Sequence, residues 1–290
     1  MDFKINVNGT SVPFLDANVT NTQGETMNLQ QLCRDNEIVR VVAGSRAYGT
    51  ANINSDFDYR GIFVAPEKFT RTPFFKVEQV ELEDEQDSKY YELNHFMKLY
   101  VDCNPNILEL LWVDEQHVVT SSLLYDTMRE NREVLLSKKV AHTFSGYAYS
   151  QLQKIKHDML IMALRDSSDE KQRMRYAQWK ADRNTEKRYK EIELGYNPKN
   201  AIHLVRLMQM GQEVLETGQV NVLRPNREEL LAIRGGSMTA CELIDYAEQQ
   251  DSIIKELYKT SELPHSPDLD LAAKLLMEFQ DIYHAEQFKS

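Results

Sequence analysis

Two aspartates separated by one residue, Asp56 and Asp58, stand shortly after a glycine–serine pair, Gly44-Ser45. Side chains alternate along a strand, so carboxylates two residues apart at the start of a strand face the same way. Carboxylates that close repel each other unless a cation lies between them, and Mg²⁺ prefers oxygen ligands of this kind. A Gly-Ser turn offers backbone N–H groups and a hydroxyl, which suit a phosphate. Together these residues predict phosphoryl-group chemistry dependent on Mg²⁺ or Mn²⁺.

Two acidic residues further along the chain, Asp87 and Glu92, are candidates for a third carboxylate at this site. Glu92 has apolar neighbours on both sides, which is typical of a strand residue. Asp87 has polar neighbours. The residues alone leave both positions open.

Short apolar runs predict the strands that must position these residues. One run covers residues 38–43 and ends at the Gly-Ser pair, and a second covers residues 61–64 after the two aspartates. Asn28 is a candidate N-cap for a short helix leading into the first strand. Asn8-Gly9 predicts a hairpin near the start of the chain.

Helical periodicity begins at Leu93 and should be interrupted at Asn104-Pro105, because a residue before proline avoids the helical region. From about Thr120 onward the chain is almost wholly helical in pattern. We therefore predict two domains, a first at residues 1–120 and a helical one at residues 121–290.

The formal net charge of the 290 residues is −11, which argues against a general nucleic-acid coat or a binder of anionic membranes. Between Lys138 and Arg206, however, fifteen Lys/Arg outnumber eight Asp/Glu. A charge run of this kind is typical of a solvated face, and its sign also suits polyphosphate or a nucleic-acid backbone. Within it, Lys199, His203 and Arg206 stand at i, i+4 and i+7 and so share one side of a predicted helix.

Three widely spaced cysteines cannot form a complete disulfide framework, so we predict a reducing, cytoplasmic location. The first residues lack the pattern of a signal peptide, and no stretch approaches the roughly 18 apolar residues of a membrane span. We expect no membrane partner.

The combined motifs resemble a known family. The stretch GSRAYGTANINSDFDYRGIFV is similar to the nucleotidyltransferases of the DNA polymerase beta superfamily, and within it to the predicted enzymes of the YcgL or RNA-ligase-associated family. The likeness continues through DSKYYELNHFMKLYVDCNPNILELLWV and GYNPKNAIHLVRLMQMGQEVLETGQVNVLRPNREELLAIRGG. It covers roughly residues 38–236.

This resemblance implies an α+β fold, with a mixed-sheet catalytic core and a C-terminal helical domain that closes over a nucleotide. It also implies that Gly44 and Ser45 hold the triphosphate and that Asp56 and Asp58 bind Mg²⁺ or Mn²⁺. Counting back from Asn104-Pro105 places the family's third carboxylate at Asp87, which we prefer, with Glu92 as the alternative. The remaining residues expected to contact the nucleotide are Arg46, Lys199, His203 and Arg206.

Three functions fit these observations. The first is a nucleotidyltransferase that moves a nucleoside monophosphate from an NTP, such as ATP, to a hydroxyl of RNA or tRNA and releases pyrophosphate. The second keeps this chemistry but transfers to a protein or small molecule, which the overall acidity fits equally well. The third is a non-catalytic nucleotide-binding protein, and the intact Gly-Ser and Asp-x-Asp motifs argue against it.

Overall fold

The computed structural model describes residues 4–7, 10–13, 18–20, 26–74, 76–82, 87–185 and 188–287. Residue contacts divide the chain into two units. The first combines residues 1–137 with 266–290, and the second comprises residues 138–265.

Two antiparallel hairpins open the chain, β1 (Lys4–Val7) with β2 (Thr10–Pro13) and β3 (Asn18–Thr20) with β4 (Thr26–Asn28). The first pairing confirms the predicted hairpin, although its turn residues, Asn8 and Gly9, lie outside the described residues. Helix α1 (Leu29–Asp35) follows. Its predicted N-cap is confirmed, since Asn28 Oδ1 accepts hydrogen bonds from the backbone N–H groups of Gln30 at 2.9 Å and Gln31 at 3.2 Å.

A mixed sheet forms the centre of the first unit. Its strands are β5 (Glu37–Ala43), β6 (Asp58–Phe63), β7 (Gln79–Leu82), β8 (Ser88–Glu92) and β9 (Val118–Ser121), in the spatial order β7-β8-β6-β5-β9. β6 and β8 run parallel, whereas the other neighbouring pairs are antiparallel. The predicted α+β class with a mixed-sheet core is confirmed.

Helices cover this sheet and connect its strands. They are α2 (Gly44–Ala47), α3 (Glu67–Thr70), α4 (Leu93–Val101), α5 (Pro105–Trp112) and α6 (Leu123–Glu130), with a 3-10 turn at Glu115–His117. The break between α4 and α5 falls at Asn104-Pro105, as predicted, because Asn104 caps α5 by accepting from the Asn106 N–H at 3.1 Å. A buried apolar cluster joins α1 to the sheet and includes Leu29, Leu32, Phe63, Val80 and Tyr90.

The second unit is helical. It contains α7 (Lys139–Ala163), α8 (Glu170–Arg183), α9 (Tyr189–Leu194), α10 (Pro198–Thr217), α11 (Arg227–Gly235) and α12 (Ala240–Thr260). α10 is its central helix and packs against α7, α9, α11 and α12. A Cβ atom at Gly211 of α10 would lie 3.0 Å from Phe144 Cβ, so α10 and α7 approach closely at that point.

The last helix, α13 (Leu269–Gln287), returns to the first unit and packs on α4 and α6. Gln280 Nε2 donates to Asn94 Oδ1 at 2.8 Å, and the Tyr283 hydroxyl donates to Asn36 Oδ1 at 2.7 Å. The division by contacts therefore differs from the predicted boundary at residue 120. α6 packs on β5 and α5, and α13 belongs with the sheet, so only residues 138–265 form the separate helical unit.

All three cysteines are free thiols. Within the described residues, no helix combines the length and apolar character needed to cross a membrane.

Candidate active site

Gly44 and Asp58 are neighbours because of the register between β5 and β6. Ala43, the last residue of β5, pairs with Asp58, the first residue of β6. Gly44 has φ +64°, in the left-handed region that favours glycine. A Cβ atom built on Gly44 would lie 2.0 Å from Asp58 Oδ2. The absence of a side chain at residue 44 therefore makes room for this carboxylate.

Asp87 reaches the same place through the parallel pairing of β6 with β8. Tyr59 pairs with Ser88, so the preceding residues, Asp58 and Asp87, lie side by side. Their side chains are within hydrogen-bonding reach of each other. Burial raises the pKa of Asp58, and the contact with Asp87 and the negative charges of Asp87 and Asp56 raise it further, against the opposing charge of Arg60. Burial and the neighbouring carboxylates thus favour the protonated form of Asp58.

Arg60 fixes the backbone at Asp87. Asp87 has φ +33°, an uncommon value for a residue with a side chain. Its carbonyl oxygen accepts from Arg60 Nη1 at 2.6 Å and from the Tyr59 N–H at 3.2 Å. Arg60 Nη1 also lies 3.6 Å from Asp87 Oδ1. These contacts hold Asp87 against the start of β6.

Asp56 lies in the loop before β6, because that strand begins only at Asp58. The expectation that both aspartates share the face of one strand is wrong in this respect. The loop is held by Arg46, whose Nη2 donates to Ser55 O at 2.7 Å and whose Nε donates to Asp56 O at 3.3 Å. The Arg46 guanidinium carbon also stacks 3.6 Å from the centroid of the Phe57 ring. Arg46 is therefore engaged with the loop that carries Asp56.

Glu92 lies at the other end of β8. It pairs with Phe63 and lies five positions after Asp87 in the chain, which corresponds to about 16 Å along a parallel strand. Its Oε2 accepts from the backbone N–H groups of Asn94 at 2.8 Å and His95 at 3.3 Å, so it caps α4. Burial raises its pKa to about 7, although backbone hydrogen bonds oppose the shift. The position of Glu92 is that of a buried helix cap.

Tyr48, at the end of the Gly-Ser turn, is buried and points into the fold. Its hydroxyl donates to Glu109 Oε2 at 2.7 Å, and Glu109 itself is only 6% exposed. This buried pair ties α2 to α5. The sequence contained both residues but no local signal of their contact, because they are 61 positions apart.

The aspartates suit a divalent cation by the chemistry of their donors. Within the described ranges, no three His, Cys, Asp or Glu side chains already form a cluster shaped for a metal ion. Asp58 and Asp87 nevertheless bring carboxylate oxygens into contact, and Asp56 is close enough to raise the pKa of Asp58. Hard oxygen donors of this kind are those that Mg²⁺ and Mn²⁺ prefer. The residues present fit such an ion.

The remaining predicted nucleotide-binding residues, Lys199, His203 and Arg206, all lie on α10 in the second unit. Lys199 is exposed, His203 is half-buried and Arg206 is buried. Burial lowers the pKa of His203 to about 4, and the nearby charges of Arg206, Lys199, Lys154 and Arg234 act in the same direction. His203 is therefore neutral near pH 7 and lies among cations. The contact of these residues with a nucleotide stays a prediction.

Comparison with known proteins identifies a family whose sequence model includes these site residues. The sequence model of the RNA repair pathway DNA polymerase beta family matches residues 25–278, a range that includes every predicted site residue. An uncharacterized 38.9 kDa protein from the nrdC-mobD intergenic region of Enterobacteria phage T4 is 29% identical over 142 residues. That match covers 44% of this chain and 42% of the phage protein, so it spans less than half of either. The family match confirms the resemblance predicted from the sequence motifs.

Proposed function

The chain belongs to the RNA repair pathway DNA polymerase beta family, and we propose that it is a metal-dependent nucleotidyltransferase with an RNA hydroxyl as acceptor. Membership of this family indicates nucleotidyltransferase chemistry. The observation that carries the finer proposal is the contact between Asp58 and Asp87 beside the bare backbone of Gly44. Acids crowded in this way favour a cation in their midst.

In this proposal Asp56, Asp58 and Asp87 hold Mg²⁺ or Mn²⁺. When bound, the ion would neutralise charge on the reacting phosphates and lower the pKa of the attacking hydroxyl. Gly44 and Ser45 bind the phosphates of the NTP, since a glycine in the left-handed conformation leaves backbone N–H groups accessible. Most of the rate enhancement then comes from positioning and from stabilising charge.

The reaction joins the acceptor oxygen to the α-phosphorus of the NTP. A new P–O bond forms, the bond between the α-phosphorus and the bridging oxygen breaks, and pyrophosphate leaves with the electron pair. The hydroxyl proton passes to the Asp87 carboxylate, whose position beside Asp58 is fixed by Arg60. Glu92 has no part in this step, because it caps α4 at the far end of β8.

The transfer assay uses wild-type protein, each α-labelled NTP, Mg²⁺ or Mn²⁺, and either RNA or a cell lysate. Label on RNA is the expected result. Label on protein alone would replace the RNA acceptor by a protein, and binding of nucleotide without transfer would leave a non-catalytic role. Asp58→Asn should abolish transfer, whereas Asp35→Asn, an exposed aspartate on α1, should not.

Metal binding can be measured without turnover, by thermal unfolding of the protein. Mg²⁺ should raise the Tm of the wild-type protein, because an ion that binds the folded state alone stabilises it. The rise should be larger at pH 8 than at pH 5, since protons compete with the ion for Asp58, whose pKa is raised. An equal rise in Asp58→Asn would contradict the site.

A further inference from the structure

A polar cavity of about 350 Å³ lies within the second unit, between α7, the end of α8 and the start of α10. Its basic side chains are Lys154, His157 and Arg183, and its carboxylate is Asp158. Three amide side chains complete the lining, those of Gln153, Asn197 and Asn200. The volume is within the range of pockets that bind small molecules or parts of larger ones.

The wall of the cavity is built on a buried ionic network. Asp158 is 4% exposed, and its Oδ1 accepts from Trp179 Nε1 at 2.8 Å and from Arg183 Nη2 at 3.2 Å. Arg183 Nε lies 3.0 Å from Oε2 of the buried Glu191, and its guanidinium stacks 4.5 Å from the Trp179 ring centroid. Two carboxylates therefore balance Arg183 and hold it in place. The positive charge offered to a ligand comes from the exposed Lys154, and the exposed His157 adds a ring nitrogen for hydrogen bonding.

Lys154 and three further cations share a neighbour, His203. Lys154, Lys199, Arg206 and Arg234, from three helices, are all close enough to His203 to lower its pKa. Of these four cations, only Lys154 is among the residues that line the cavity, so the other three can contribute only a longer-range positive potential there.

The helix that ends in the cavity wall carries positive charge along its length. α8 runs from Glu170 to Arg183, and Lys171, Arg173, Arg175 and Lys180 are exposed on it. Lys171 and Arg175 lie on the i+4 stripe of α8 that leads to Trp179 and Arg183, whereas Arg173 and Lys180 lie on the opposite side of the helix. Two exposed cations one turn apart, on the stripe that reaches the cavity wall, suit a ligand with repeated negative charges.

We propose that this cavity binds a phosphate and the adjoining ribose of the RNA acceptor strand, an inference that rests on the proposed function. Lys154 and His157 contact the phosphate. The amides of Gln153, Asn197 and Asn200 hydrogen-bond the ribose hydroxyls, and Lys171 and Arg175, on the stripe of α8 that leads to Arg183, bind neighbouring phosphodiesters. Because a 2′-hydroxyl distinguishes RNA from DNA, the cavity should prefer RNA.

The test is fluorescence anisotropy with a short single-stranded RNA, the DNA of the same sequence, ATP and inorganic phosphate, without divalent ions. Lys154→Gln should weaken RNA binding by about tenfold and reduce the slope of log K against log salt by about one. Lys255→Gln makes the same charge change on α12, at an exposed lysine paired with Asp251, and should have less than about twofold effect. Lys154 is exposed, so its variant should keep the wild-type Tm.

Equal RNA affinity in Lys154→Gln and Lys255→Gln would overturn the inference, as would equal wild-type affinity for RNA and DNA. Displacement of the RNA by ATP at matched concentration would identify the cavity as a nucleotide site and would also overturn it. No NTP turns over in this assay, so its result is separate from that of the transfer assay. If the protein transfers nucleotide and its Lys154→Gln variant binds RNA normally, the proposed function stands and the proposed role of the cavity is rejected.

Discussion

Asp58 Oδ2 occupies the space that a side chain on Gly44 would need, since a Cβ atom there would lie 2.0 Å from it. Gly44→Ala should therefore displace the carboxylate and abolish nucleotide transfer. Because residue 44 has a positive φ, alanine there should also lower the free energy of unfolding by about 1 kcal/mol. Transfer rates and urea unfolding of the variant measure these two effects separately.

Gly146→Ala is the matched control for that substitution. Gly146 lies exposed within α7, and nothing is within 4 Å of a Cβ atom built on it. Alanine there should stabilise the protein by about 0.5–1 kcal/mol and leave transfer unchanged. Full activity in Gly44→Ala would contradict the close approach of Gly44 to Asp58.

The roles of Asp87 and Glu92 can be distinguished by replacing each carboxylate with its amide. Asp87→Asn keeps the side-chain shape and tolerates the positive φ, so we expect a folded protein with transfer reduced by about a hundredfold or more. Glu92→Gln retains an oxygen that can cap α4 and should remain active. Rates at saturating NTP and metal measure the difference. The opposite order of activities would identify Glu92 as the third carboxylate.

Glu92 should make stability depend on pH. Its pKa in the folded protein, about 7, is raised from 4.5, so the folded state holds the proton more tightly than the unfolded chain does. The resulting stabilisation is complete below pH 4.5 and is lost as the pH rises through 7, by roughly 3 kcal/mol. Glu92→Gln should remove this contribution to the loss of stability with rising pH. Urea unfolding of both proteins across this range tests it, and parallel curves would mean that Glu92 is not the group responsible.

Arg46 should act by positioning Asp56. Arg46→Lys keeps the charge but cannot donate to both loop carbonyls while lying flat on Phe57. We expect a lower kcat, by about tenfold, and a higher Mg²⁺ requirement, with little change in KM for the NTP. Arg71→Lys, at an exposed arginine paired with Glu67, is the control. A raised KM with an unchanged Mg²⁺ requirement would instead support direct contact of Arg46 with the nucleotide.

Local signals in the sequence predicted the elements well. Asn28 as an N-cap and the break at Asn104-Pro105 depend on neighbours within a few residues. The structure contains a further local feature of this kind, the capping box of Thr239 and Glu242 at the start of α12. Backbone preferences of this kind act over one turn of helix, so they can be read from the chain itself.

Features that depend on distant partners were harder to predict. The start of β6 was misplaced because Arg46, ten residues before Asp56, holds the preceding loop. The proximity of Asp87 to Asp58 depends on the register between β6 and β8, which no local pattern specifies. The cavity escaped prediction for the same reason, since the network from Asp158 to Glu191 joins residues on three helices.

The return of α13 to the first unit makes that unit discontinuous along the chain. The backbone N–H of Lys138 donates to the carbonyl of Pro264 at 2.8 Å, so the helical unit begins and ends at one place. It is a module inserted between two parts of the sheet-containing unit. The buried Phe279 and Tyr283 are therefore translated after the whole helical unit, although they belong to the helix that covers α4 and α6.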